Sequence, residues 1–267
     1  MKLVSTPYGK FHCEDGDLIT GQLEEFGAHT RNELAMLLGF VRPDDFVIDV
    51  GAHLGTFAVP IARLLSPRGR LVAFEANADN FAVLSKNVAV NGLQDRIDLV
   101  NFVVAQKSGS YRYVPMAGNT GGGEYFHQPK ASGPGVQQQA VGLDQWARQQ
   151  GARPLDVLKV DAEGMEVSVL QSGADLLGRD HPLLYLEINL AALHRHGADA
   201  DQLGEILLRL GYRFFRNKGP RNSAHDNFRI VETEAPGGPE VHYDVLCIHA
   251  ASLRLDQALQ QVRAVES

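Results

Sequence analysis

The residues of this sequence best suited to chemistry fall in three short segments. Asp49-Val50-Gly51-Ala52-His53-Leu54-Gly55 joins an apolar run to a helical pattern, so two glycines stand where the backbone must turn tightly and can approach a ligand closely. That placement marks a nucleotide site. The dinucleotide fingerprint G-x-G-x-x-G is poorly matched, however, because only Gly51 and Gly55 are present and His53 holds the middle position. A carboxylate at Asp49 would repel a pyrophosphate and attract the ammonium of a methionine moiety. Glu75 ends the second apolar run, about 20 residues beyond Gly55, where an acidic side chain can accept hydrogen bonds from both ribose hydroxyls. The two carboxylates together suit S-adenosyl-L-methionine better than a nicotinamide dinucleotide. In the third segment Asp161 and Glu163 follow another apolar run, and Glu187 with Asn189 ends the next one. Open α/β sheets bind ligands at the carboxyl edge of their strands, so these groups should converge on one cleft.

The elements that must position them follow from periodicity. Phe46 to Val50, Leu71 to Phe74, Ile97 to Val104, Val157 to Val160 and Leu183 to Ile188 read as short buried strands. Between them lie helical patterns at Leu54 to Leu65, around Phe81, Leu84 and Val88 up to Asn91-Gly92, at Met165 to Leu177 and at Leu203 to Leu210. This alternation predicts an α/β fold: a mainly parallel sheet with helices on both faces. Pro60 is tolerable if the first of these helices begins near Thr56. Residues 1 to 27 read as short strands broken by turns, followed by a helix from Thr30 to Leu38, which makes residues 1–40 a β/α cap on a domain spanning 41–250, with a C-terminal helix in 251–267. Residues 115–139 and 217–240, rich in Gly, Pro and Asn, read as long loops and candidate lids.

Composition narrows the class. With 44% hydrophobic and 21% charged residues the chain has the balance of a folded globular protein. A formal net charge of -7 argues against a nucleic-acid partner, since phosphate neutralisation needs clustered Lys and Arg. Cys13 and Cys247 form no CxxC pair, so neither a disulfide framework nor a thiolate zinc site is indicated and a cytoplasmic location is expected. No stretch reaches the about 18 apolar residues of a membrane span.

Three segments carry a resemblance to the FkbM family of methyltransferases. Phe46-Val47-Ile48-Asp49-Val50-Gly51-Ala52-His53-Leu54-Gly55 is similar to the family's D-V-G-A-N-x-G, Val72-Ala73-Phe74-Glu75-Ala76-Asn77 to its F-E-P pattern, and Leu158-Lys159-Val160-Asp161-Ala162-Glu163-Gly164-Met165-Glu166 to its K-I-D-V-E-G-x-E signature. The last is the most specific. The chain departs from the pattern at His53, where the family has Asn, and at Ala76, where it has Pro; His, like Asn, can stabilise a turn with a short polar side chain. The resemblance implies a Rossmann-like seven-stranded sheet with its last strand antiparallel, adenosylmethionine as donor, and methylation of a hydroxyl on a sugar, glycan or natural product.

The expected cofactor set is Asp49, Gly51, Ala52, His53, Gly55, Thr56, Glu75, Ala76, Asn77 and Val104. Methyl transfer to a hydroxyl needs an aligned acceptor and removal of its proton. Asp161 is expected to face the methyl group, with Glu163 or Glu187 as proton acceptor or acceptor anchor, and Glu166 supporting. A carboxylate at a helix start can equally serve the helix dipole. His53 is a second candidate base, since histidine titrates near neutrality. His127 sits in the first long loop, where it could close over a substrate. His194-Arg195-His196 and His225-Asp226 match no metal-ligand spacing, so no metal is expected. The partner is expected to be a small molecule or glycan, with neither nucleic acid nor membrane, and a homo-oligomer remains open. Competing readings are an NAD-dependent oxidoreductase and a non-catalytic cofactor-binding protein on the same sheet.

Overall fold

The computed structural model describes residues 1–116, 119–128, 137–151, 153–235 and 241–266. The chain opens with a hairpin, β1 (Lys2–Thr6) and β2 (Gly9–Cys13), paired from Lys2↔Cys13 to Thr6↔Gly9. Thr6 Oγ1 accepts from the amides of Tyr8 and Gly9 and fixes that turn. Helices α1 (Leu18–Phe26) and α2 (Arg31–Leu38) complete the cap. The sequence reading placed short strands through residue 27, but Asp17 caps the Ile19 amide and Gly27, at φ 75°, closes a helical segment there.

The central elements are β3 (Phe46–Val50), α3 (Ala58–Leu64), β4 (Arg70–Phe74), α4 (Ala78–Val90) and β5 (Ile97–Val100). Pro60 lies in the first turn of α3, where a helix leaves its amides without internal partners, so the missing N–H costs little. A smaller sheet comes next in the chain: β6 (Val103–Val104), β7 (Gly109–Met116), β8 (Asn119–Gln128) and β9 (Gln137–Val141), in the order β6-β9-β7-β8. It corrects the loop expected over 115–139, of which residues 117–118 and 129–136 lie outside the described residues. Tyr111 explains why this glycine-rich segment can pack: it is buried against Val103, Ala105 and Met165 and anchors the ribbon to the main fold.

The chain continues through α5 (Leu143–Gln150), β10 (Val157–Val160), α6 (Glu166–Ser172), α7 (Ala174–Asp180), β11 (Leu183–Asn189), α8 (Leu190–Arg195), α9 (Ala200–Arg209), β12 (Tyr212–Asn217), β13 (Ile230–Thr233), β14 (His242–His249) and α10 (Leu253–Glu266). The helix expected over 165–177 is broken at Gly173, where a Cβ would press on Leu143 Cδ1 at 3.1 Å. The strand expected over 97–104 is split between the two sheets. Of the second expected loop, 230–233 form β13 and 236–240 lie outside the described residues.

The large sheet runs β13-β12-β14-β11-β10-β3-β4-β5. Strands β11, β10, β3, β4 and β5 are parallel; β14 is antiparallel to both β11 and β12, and β13 pairs antiparallel with β12 as an extra edge strand beside the expected seven. This is the Rossmann-like arrangement with the last main strand reversed. Both faces are covered, as successive strand residues demonstrate: Val47 and Val157 join one core, Ile48 and Leu158 the other. Strand order reverses between β3 and β10, which opens a crevice at their carboxyl ends. Among the described residues no helix is long and apolar enough to cross a membrane.

Candidate functional site

The turn after β3 is held by its own backbone. Gly51 and Ala52 donate to the Phe74 carbonyl at 3.0 and 2.9 Å, which ties the turn to the end of β4. Gly51 has φ 77°, and a Cβ there would lie 1.8 Å from the Asp161 carbonyl oxygen, so this position admits glycine alone. His53 is left-handed at φ 49°, a conformation that short polar residues tolerate better than branched ones. Its amide donates to Glu75 Oε2 at 2.8 Å, and the Asn77 amide to Oε1 at 2.7 Å, so the Glu75 carboxylate is fixed from both sides.

These residues line a cavity of about 350 Å³ at the crevice. Of the expected cofactor set, Gly51, Ala52, His53, Thr56, Glu75, Ala76, Asn77 and Val104 face it, and so do Asp161, Glu163 and Glu187. Asp49 and Gly55 do not. The Asp49 side chain is fully buried under the turn and pairs with Lys159 at 3.1 Å, itself 3% exposed, so its charge is answered inside the protein and it does not reach a ligand ammonium. Gly55, at φ 87°, packs its α-carbon against Leu84.

Lys159 also donates to the Gly51 carbonyl at 3.0 Å and lies 3.4 Å from Asp161 Oδ2. Burial works against its charge, but Asp49 and Asp161 outweigh burial and hold the ammonium protonated. Asp161 is 30% exposed, and that exposure is toward the cavity. Burial, then the Glu187 charge, pushes its carboxyl up to about 7. Glu187 goes the other way. Burial raises it, but His242 Nε2 at 2.6 Å, the hydrogen bond with Asp161 and the Arg221 charge hold it down at about 2. Asp161 and Glu187 thus titrate as a pair, with Glu187 held as the carboxylate by His242 and Arg221.

Glu163 sits at φ 47° on the turn after β10, followed by Gly164 at φ 95°. Burial, then Asp161 and Glu187, pushes its carboxyl up to about 9, so at neutral pH it is protonated and can donate. Glu166 braces the turn from below, accepting from the amides of Ala162 and Gly164 at 3.1 and 3.2 Å. His53 and His29 are both kept neutral, each lowered to about 4 chiefly by burial.

Several lining groups were not singled out in the sequence. Arg221 pairs with Glu187 at 2.6 Å and Asp244 at 3.0 Å, and it lies in a segment whose composition read only as loop. Asn32, fully buried on α2, holds that segment: its amide donates to the Arg221 carbonyl, its side-chain Nδ2 to the Pro220 carbonyl at 2.7 Å, and its Oδ1 accepts from the Asn227 amide at 2.8 Å. Gln22 accepts from the Thr30 amide and bonds His29 Nδ1, placing His29 at the cap side of the cavity. Tyr113 and Tyr125 arrive from β7 and β8. His127 instead packs edge-on against Tyr111, while His194 and His225 do not line the cavity.

The sequence matches the profile of the methyltransferase FkbM domain over residues 49–214, well over half of the chain. The 2-O-methyltransferase NoeI of Sinorhizobium fredii is 24% identical over 151 residues, covering 51% of this chain and 60% of that protein. Catechol O-methyltransferase of Sus scrofa is 44% identical over 54 residues, 20% of this chain and 29% of that protein. The chain therefore spans less than two thirds of these relatives. The FkbM methyltransferase structure from Methylobacillus flagellatus KT superposes with a TM-score of 0.46 at 14% identity, covering 78% of this chain and 44% of that one. Glycine turn, fixed Glu75 and the Asp161-to-Glu166 signature all lie inside the matched span, and the chain belongs to the FkbM family of methyltransferases.

Proposed function

We propose that this protein transfers the methyl group of S-adenosyl-L-methionine to a hydroxyl of a sugar, glycan or natural-product small molecule. The observation that carries the reading is the Asp161–Glu187 carboxyl pair, pinned by Arg221 and His242 and facing the same cavity as the fixed Glu75 carboxylate. The residues present suit the donor. Glu75 keeps lone pairs free for ribose hydroxyls, Phe102 and Val104 offer an apolar wall for a base, and the bare Gly51 turn allows close approach. Bound there, adenosylmethionine supplies a methyl group activated by its sulfonium charge.

The protein's own part is positioning and proton removal. With its carboxyl near 7, Asp161 is matched to proton transfer at neutral pH, and binding of a cationic donor in the cavity favours its ionised form. Protonated Glu163 can donate to an acceptor oxygen, and Glu187, held by Arg221 and His242, keeps the pair's geometry. The names of the relatives NoeI and catechol O-methyltransferase support oxygen as the receiving atom.

The test is transfer of a radiolabelled methyl group across a panel of sugars, glycans and hydroxylated natural products, with the product located by mass. Asp161→Asn is expected to lower turnover about 10²- to 10⁴-fold while adenosylhomocysteine affinity, measured by calorimetry, changes little. Label on nitrogen or carbon, or no binding of adenosylhomocysteine, overturns the proposal.

A further inference from the structure

The β7–β8 ribbon brings two tyrosines to the cavity. Tyr113 and Tyr125 are direct cross-strand partners, with ring centroids 5.0 Å apart at 41°. Paired residues share one face of a ribbon, and Tyr125, like Ala76 and Ala162, packs against the buried cluster of Val103, Ala105, Tyr111 and Met165. Both tyrosines line the cavity together with Ala76 and Ala162, which follow β4 and β10. From outside the ribbon is braced by Glu124, which accepts from Arg195 at 2.9 and 2.5 Å, and by Phe126 stacked on His196 at 4.7 Å.

Two details separate this from ordinary packing. A Cβ on Gly123 would fall 2.0 to 2.3 Å from the hydroxyl and ring atoms of Tyr113, so that ring lies against bare backbone and a side chain at 123 would displace it. The Tyr113 hydroxyl then meets Asn77, next to Glu75. The Tyr125 hydroxyl is buried and has no hydrogen-bond partner among the described residues, although buried hydroxyls are seldom left so. Burial and the Glu75 charge both raise its pKa, so it remains a donor at any working pH.

We infer that these tyrosines roof the nucleoside half of the cavity, the Tyr125 hydroxyl donating to the bound cofactor and the Tyr113 ring, seated on Gly123, closing over it to slow release. The inference rests on the cofactor reading above. Neither residue belongs to the glycine turn, the Glu75 segment or the Asp161 signature, so the ribbon adds a further, independent wall to the site.

The test is adenosylhomocysteine binding to the full chain by calorimetry and stopped flow, alongside thermal unfolding without ligand. Tyr125→Phe is expected to weaken binding about 3- to 10-fold, the worth of one net hydrogen bond, while the ligand-free melting temperature stays level or rises because an unpartnered buried hydroxyl is gone. Tyr113→Ala and Gly123→Ala are each expected to speed dissociation, the second without altering the tyrosine itself. Wild-type affinity in Tyr125→Phe, or a lowered melting temperature with unchanged affinity, overturns the inference while leaving the cofactor reading intact. Should the wild-type chain itself fail to bind, the cofactor reading falls and this inference falls with it.

Discussion

Replacing Lys159 by Met tests the electrostatics under the glycine turn. Lys159 is 3% exposed and sits between Asp49, which is fully buried, and Asp161, while its ammonium also lies 5.3 Å over the Phe57 ring. Removing one partner of a buried pair typically costs about 3 to 5 kcal/mol, because the other charge is left without compensation. In the wild type, burial raises the Asp49 carboxyl and the Lys159 charge opposes the rise. In Lys159→Met nothing opposes it, and folded Asp49 holds its proton well above the unfolded value. Between the unfolded pKa, about 3.9, and the new folded pKa, the folded state binds one proton more than the unfolded state. Stability of the variant then falls by about 1.4 kcal/mol per pH unit relative to a non-titrating site, so its deficit against wild type widens as pH rises. Urea unfolding at pH 5, 6, 7 and 8 measures this, and the double variant Asp49→Leu with Lys159→Met should recover part of the loss. A deficit below about 1 kcal/mol that stays constant with pH would refute the reasoning.

Two further outcomes follow from groups around the site. Glu163 has its carboxyl raised to about 9, so its ionisation opposes folding and wild-type stability declines as pH rises from the unfolded glutamate range through 9. Glu163→Gln removes that titration and should melt higher than wild type at pH 8.5 while matching it near pH 5, which differential scanning calorimetry reads directly. Arg254, 7% exposed on α10, grips both oxygens of Asp45 at 2.6 Å and donates to the Phe40 carbonyl at 3.0 Å. Arg254→Met should cost about 3 to 5 kcal/mol in urea unfolding and leave the adenosylhomocysteine affinity of the folded fraction unchanged.

Local patterns announced most of the parallel sheet, since β3, β4, β10 and β11 are short apolar runs buried on both faces. The turn after β3 was legible too, because Gly51 and His53 stand where backbone conformation restricts residue type. Other features depend on partners distant in sequence. Asp49 looked like a ligand contact until its pairing with Lys159, 110 positions later, placed it below the turn. The ribbon was hidden because Gly121 to Gly123 argue for a loop by composition, whereas Gly123 is in fact cleared for a ring on the neighbouring strand. Arg221 could not be assigned from its own neighbourhood, because its pairing is set by Glu187 on β11 and Asp244 on β14.

The contacts of Asn32 set an order of assembly. It reaches partners 188 to 195 positions away, whereas the cavity rim from Gly51 to Val104 is drawn from one continuous stretch. Closing the longer loop carries the larger entropic cost and must wait for residue 227 to leave the ribosome. The rim from Gly51 to Val104 can therefore form while synthesis continues, and the rim bearing Arg221 is completed only when residues 220–227 have met Asn32.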